Sequence, residues 1–145
     1  MVLAKTIKEQ KDIALLLVRV AVGLIFIVHG YQKLQMGFGA VTGFLGNIGV
    51  PLSQFFGYVL PLVEFIGGLF LIFGFLSRLS ALLLSIVMVV AILLVKLKIG
   101  LVAPMGQPGV GAELDLALLV GLLSVLLQGP GKYSIDLSLV KKEIC

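Results

Sequence analysis

The sequence has 145 residues, of which 60% are hydrophobic and only 12% charged, and its mean hydropathy is +1.22. A chain this apolar is built for lipid, and four crossings of about 20 residues each would nearly exhaust it, which excludes a separate soluble catalytic domain. The formal charge of +4 and pI near 9.4 come from basic residues scattered between apolar runs, a pattern that reads as membrane topology and excludes a nucleic-acid partner.

The opening stretch, Lys5 to Asp12, looks like the charged start of a signal peptide. Arg19 inside the apolar run that follows, and the lack of a small-residue cleavage site after it, predict instead a retained helix over about 13–33. Tyr31 and Lys33 at its end suit an interface anchor. The glycine-rich stretch over about 37–50 carries Phe38, Val41, Leu45 and Ile48 at helical spacing, too short to span and suited to an interfacial or re-entrant element. A second spanning helix is expected over about 55–76, kinked at Pro61 and containing Glu64 and the pair Gly67 and Gly68. The short turn at Ser77 and Arg78 forces an antiparallel third helix over about 78–97, with no ionised residue between Arg78 and Lys96.

Residues 100–111, with Pro104 and Pro108, read as a loop. A fourth helix over about 112–128 places Glu113 and Asp115 in its first turns, where carboxylates complement the helix dipole. Gly129, Pro130 and Gly131 end it, leaving a short polar tail. The expected fold is therefore all-α: an integral membrane four-helix bundle, one transmembrane domain over 1–145, with a short interfacial or re-entrant segment between the first two helices. Lys5, Lys8, Lys11, Arg78, Lys132, Lys141 and Lys142 fall on one side against Lys33, Lys96 and Lys98 on the other, so a multi-pass protein of the cell membrane with both termini cytoplasmic is expected.

An ionised side chain at the centre of a membrane helix costs about 2.5–3.5 kcal/mol on insertion scales, so each needs a route to the interface or a partner. Arg19 is within snorkelling range of the inner interface. Glu64 is not, and it shares a face with Gly57, Leu60, Pro61, Gly68 and Leu71. Because Arg19 lies on one face with Gly23 and Gly30, which allow close helix approach, it is expected to reach away from the interface and pair with Glu64. The outer helix ends should bring His29, Lys33, Lys96, Glu113 and Asp115 to one mouth above Glu64. Glu113 is expected to point inward along a stripe with Ala117, Gly121, Ser124 and Gln128, while Lys96, Lys98 and Asp115 read as solvated ends.

Other chemistry has no foothold. Cys145 is the single cysteine, so neither an intrachain disulfide nor a dithiol exchange is available and any redox role borrows its electron carrier. His29 is the single histidine, which rules out a bis-imidazole haem within one chain. No metal-ligand spacing, phosphate-binding loop or nucleophile with an adjacent base is present.

The order and spacing of several segments resemble the DoxX family of four-helix membrane proteins. They are Arg19 to Phe26 with Gly23, then His29, Gly30 and Lys33; Gly49 to Pro51; Glu64 to Gly68, with Gly74 to Arg78; Glu113; and Gly129 to Asp136. The resemblance spans Arg19 to Asp136. The family takes its name from a subunit associated with a terminal quinol oxidase, its relative DoxD resembles a membrane subunit of a thiosulfate:quinone oxidoreductase, and other members are linked to oxidative-stress complexes. The resemblance thus implies a membrane subunit of a redox complex that faces a quinone or anchors a soluble or membrane oxidoreductase. No cofactor is expected to be covalently bound, and the candidate ligand-binding or proton-relay residues are Arg19, His29, Lys33, Glu64 and Glu113. The residues alone also allow a small-solute or proton-coupled transporter, or a non-catalytic scaffold, and a homo-oligomer is compatible with each.

Overall fold

The computed structural model describes the backbone of residues 2–102 and 111–144, with side chains described for all of these except 2–5, 8 and 140–144. Most of the loop expected at 100–111, and Cys145, lie outside the described residues. Those that are described form helices and no strand: α1 (Val2–Met36), α2 (Phe38–Asn47), α3 (Ser53–Phe73), α4 (Ser77–Leu94), a 3-10 turn (Lys96–Lys98), α5 (Glu113–Gln128) and α6 (Ile135–Ile144).

Three stretches, Glu9–Met36, Ser53–Phe73 and Ser77–Lys98, are long and apolar enough to cross a membrane. Only 33%, 33% and 28% of their apolar windows are buried inside the protein, so most of that apolar surface faces outward, as contact with a lipid bilayer requires. The fourth helix, α5, has 16 residues, about 24 Å at 1.5 Å per residue, and falls short of the length that marks the other three. It nonetheless closes a ring in which α1 packs on α3, α3 on α4, α4 on α5 and α5 back on α1. Phe26, Leu71, Leu84, Leu122 and Val125 fill the centre.

α1 starts well before the apolar run because hydropathy marks where lipid begins, whereas the helix needs only the absence of breakers. Lys, Glu, Gln and Ala in the first turns supply favourable propensity. α3 is assigned helical straight through Pro61, which is buried and offers no N–H to the carbonyl of Gly57. It stops at Gly74, which takes φ +68, followed by Leu76 at φ +45 in the turn to α4.

Glycine sets the contact between α1 and α3, the most extensive in the bundle. A Cβ added to Gly23 would stand 2.7 Å from the Gly68 carbonyl oxygen, and one on Gly30 would stand 2.5 Å from the backbone nitrogen of Phe65. Backbones this close leave no room for a methyl group. Gly30→Ala should therefore lower stability by about 1–3 kcal/mol through overpacking. Gly43→Ala, whose added Cβ meets nothing within 4 Å, should be neutral or raise stability by about 0.4–1 kcal/mol. Melting temperatures of the two variants in one detergent check the contrast.

Candidate functional site

The register fixed by Gly30 brings the last turns of α1 level with the middle of α3. Lys33 Nζ lies 2.5 Å from Glu64 Oε2, with the carboxylate side chain 4% exposed and the lysine 26%. His29 sits one turn earlier on α1, half-buried and within electrostatic range of the same carboxylate. Three of the five candidate residues, His29, Lys33 and Glu64, thus meet at one place.

The depth of that place follows from α4. A Cβ on Gly67 would contact Leu84 at 3.3 Å, so Glu64, three residues earlier on the antiparallel helix, is level with about Val87. Val87 is about nine residues from Arg78 and from Lys96 alike, roughly 13 Å each way at 1.5 Å rise. The Lys33–Glu64 pair therefore lies midway between the charged ends of α4, not at a mouth shared with Lys96 and Asp115. Those two form their own pair at 3.7 Å, joining the end of α4 to the start of α5.

Arg19 does not pair with Glu64. Its position, 14 residues before Lys33 on α1, puts it about 21 Å away along the helix axis. The guanidinium instead donates from Nε to the Leu71 carbonyl (2.8 Å), from Nη2 to Ile72 (3.0 Å), and from Nη1 to Tyr133 (3.0 Å) and Pro130. The physical reason is the carbonyl supply: at the last turn of α3 the Leu71 carbonyl, which also accepts from Gly74 N at 3.2 Å, and the Ile72 carbonyl both have lone pairs to offer, and the segment after α5 folds back to present two more. Five donors in a planar fork satisfy all four oxygens at once. Gly74 makes room, since a Cβ there would meet Arg19 Nη2 at 2.5 Å.

Asp136 completes this knot. Its carboxylate accepts from Leu76 N (2.7 Å), Ser77 N (2.9 Å) and the Ser77 hydroxyl (2.9 Å), and so caps α4, whose own N-cap Leu76 has no side chain able to do so. Asp12 Oδ1 accepts from the Lys132 backbone N–H at 3.0 Å on the neighbouring surface. The short polar tail forms helix α6, with the Ser134 hydroxyl accepting from Leu137 N at 3.2 Å as an N-cap. The signal was legible: Ser134 followed by Asp136 ahead of apolar residues is a helix-start pattern.

The inward carboxylate of α5 is Asp115, not Glu113. Asp115 is buried with Leu118, Leu122 and Val125, whereas Glu113 is exposed and the stripe Ala117, Ser124 and Gln128 lies outward or half outward. Large apolar side chains, rather than the small polar stripe, fill the centre. Gly121 alone of that stripe is used for close approach, with Val22 of α1 against it at 2.9 Å from an added Cβ.

An all-helical chain with three helices fit to cross a bilayer and a buried ion pair between two of them is a membrane protein. It belongs to the DoxX family, whose model matches residues 14–97. It is 36% identical over 133 residues to the "Uncharacterized membrane protein Rv3486" of Mycobacterium tuberculosis, covering 86% of this chain and 80% of that one. It is 38% identical over 126 residues to the "Putative oxidoreductase CatD" of Bacillus subtilis, covering 86% of each. To the "Inner membrane protein YqjF" of Escherichia coli it is 32% identical over 141 residues, 93% of this chain and 98% of the relative. No solved structure matches it.

Proposed function

We propose that this chain is the membrane subunit of a redox complex and that His29, Lys33 and Glu64 form its quinone-facing site. The carrying observation is the Lys33–Glu64 pair at mid-depth. Cohesion alone does not call for it, because apolar residues of similar volume usually hold helices as well as or better than a buried ion pair, and an ionisable pair inside a membrane bundle is by default a functional feature. The name of the CatD relative, an oxidoreductase, supports the redox setting.

The donor set suits a quinone carbonyl. Lys33 keeps two N–H groups beyond the one given to Glu64, and the half-buried His29 supplies a further donor. A shallow apolar groove of about 240 Å³ runs beside it along Leu24, Ile25 and Val28, as an isoprenoid tail requires. Reduction of a bound quinone to the quinol would take two electrons from a partner oxidoreductase and two protons, which His29 and the Lys33 ammonium would donate while the Glu64 carboxylate relays their replacements. Arg19 and Glu113 stand outside this site, Arg19 as a structural clamp and Glu113 at the surface. Because Lys33 belongs to the pair and not to a loop, the basic count becomes seven against Lys96 and Lys98, which supports both termini being cytoplasmic.

The test is binding of a quinone analogue to the purified protein in detergent. Saturable binding that Glu64→Gln weakens about tenfold, about 1.4 kcal/mol, is expected. No binding, or binding indifferent to Glu64, ends this reading, and proton flux through reconstituted vesicles that depends on Glu64 would put a transporter in its place.

A further inference from the structure

The same depth scale locates α2. Arg78 and Lys96 on α4 enclose a stretch free of ionised side chains, about 27 Å long and close to the roughly 30 Å of a hydrocarbon core. Gly57 packs on Thr42 of α2, with an added Cβ 2.0 Å from the Thr42 hydroxyl oxygen. By the register of Gly67 on Leu84, Gly57 and with it Thr42 are level with about residue 94 of α4, just inside the Lys96 boundary. α2 buries Val41 and Leu45 against the bundle. It begins two residues after α1 ends and about one turn beyond Lys33.

Between Lys33 and Glu64 there is no Asp, Glu, Lys or Arg. Outward from this stretch point Phe44 (50% exposed), Leu52 (75%), Phe55 (61%) and Phe56 (40%). An uncharged helix hairpin end bearing outward phenylalanines at that depth is matched by the acyl chains just beneath lipid headgroups, not by water.

We propose that α2 and the first turns of α3 are set into the lipid interface on the Lys96 side, with Phe44, Phe55 and Phe56 among the acyl chains. There α2 roofs the Lys33–Glu64 pair against water from that side. The pair is then reached from the bilayer or from between the helices, whether or not a quinone is its ligand.

Single-cysteine variants in a Cys145→Ser background, reconstituted in phosphatidylcholine vesicles, test both parts. Gly43→Cys fits without contact, and Leu97→Cys, 62% exposed between Lys96 and Lys98, is the reference at the charged end of α4. A bimane on Gly43→Cys should be quenched by lipids brominated on their acyl chains, and a membrane-impermeant maleimide should label this site at least tenfold more slowly than Leu97→Cys. Equal labelling with no quenching overturns the lipid setting. For the roof, His29→Cys should resist an impermeant thiosulfonate, and adding Gly57→Leu, which levers α2 away from α3, should raise its labelling about tenfold. Labelling of His29→Cys at the Leu97→Cys rate without that lever overturns the roof, as does unchanged labelling in a folded Gly57→Leu variant; should that variant not fold, the comparison of His29→Cys with Leu97→Cys decides.

Discussion

Arg19→Ala is expected to lower stability by about 3–5 kcal/mol, near the upper limit for a single substitution. Arg19 is 1% exposed and serves the carbonyls of Leu71, Ile72, Pro130 and Tyr133. The Leu71 carbonyl keeps the Gly74 N–H at 3.2 Å, but the part-buried carbonyls of Ile72, Pro130 and Tyr133 lose the guanidinium, at about 1–3 kcal/mol for each that stays shielded from water, and partial relaxation of the 130–133 segment brings the sum to the range stated. Arg19→Lys should recover less than half, because an ammonium group is a point donor that cannot address acceptors spread around a planar fork. Thermal unfolding in detergent, followed by circular dichroism, reads the series. Full stability in Arg19→Lys would show that charge alone, rather than the fork, holds the two segments.

The second large effect lies at the pair. Lys33→Met should destabilise by about 2.5–3.5 kcal/mol, since it strands a carboxylate in the middle of the membrane. Glu64→Gln should cost much less, because the amide oxygen of glutamine still accepts a hydrogen bond from the Lys33 ammonium. The double variant Lys33→Met with Glu64→Gln should regain most of the loss, giving a coupling energy of about 1–3 kcal/mol in a double-mutant cycle. Stability restored without restored quinone-analogue binding would separate the pair's chemistry from its contribution to packing. A double variant as unstable as Lys33→Met alone would mean that the lysine stem, not the charge, supports α3.

Much of the fold is legible in the sequence because lipid imposes a single long-period constraint. Apolar runs of spanning length, the glycines on one face of α1 and α3, and the break at Gly129 place the apolar helices in order, although hydropathy misses the polar start of α1, which begins at Val2. What periodicity does not carry is the offset between helices. Lys33 was expected at the outer mouth with Glu64 deeper beneath it and paired to Arg19, but which cation meets the carboxylate depends on a sliding register set by Gly30 against Phe65. The choice between Glu113 and Asp115 fails for a related reason: two residues are about 200° apart on a helix, and the deciding face is that of Leu118 and Leu122. Arg19 was misdirected because its acceptors are backbone atoms, which leave no trace in residue identity, and two of them come from beyond Gly129.

That last dependence has a consequence for biosynthesis. The acceptors on Pro130 and Tyr133 lie 111 and 114 residues downstream of Arg19. At translation speeds of about 5–20 residues per second, the guanidinium waits roughly 6–23 s before its cage can close. Throughout that interval a buried-type arginine must remain hydrated at the membrane surface or sheltered by the insertion machinery, so α1 cannot take its final seat when it is made. α1 is thus secured by a segment that emerges only after α3, α4 and α5 have been made, so its topology is set well before its packing is complete.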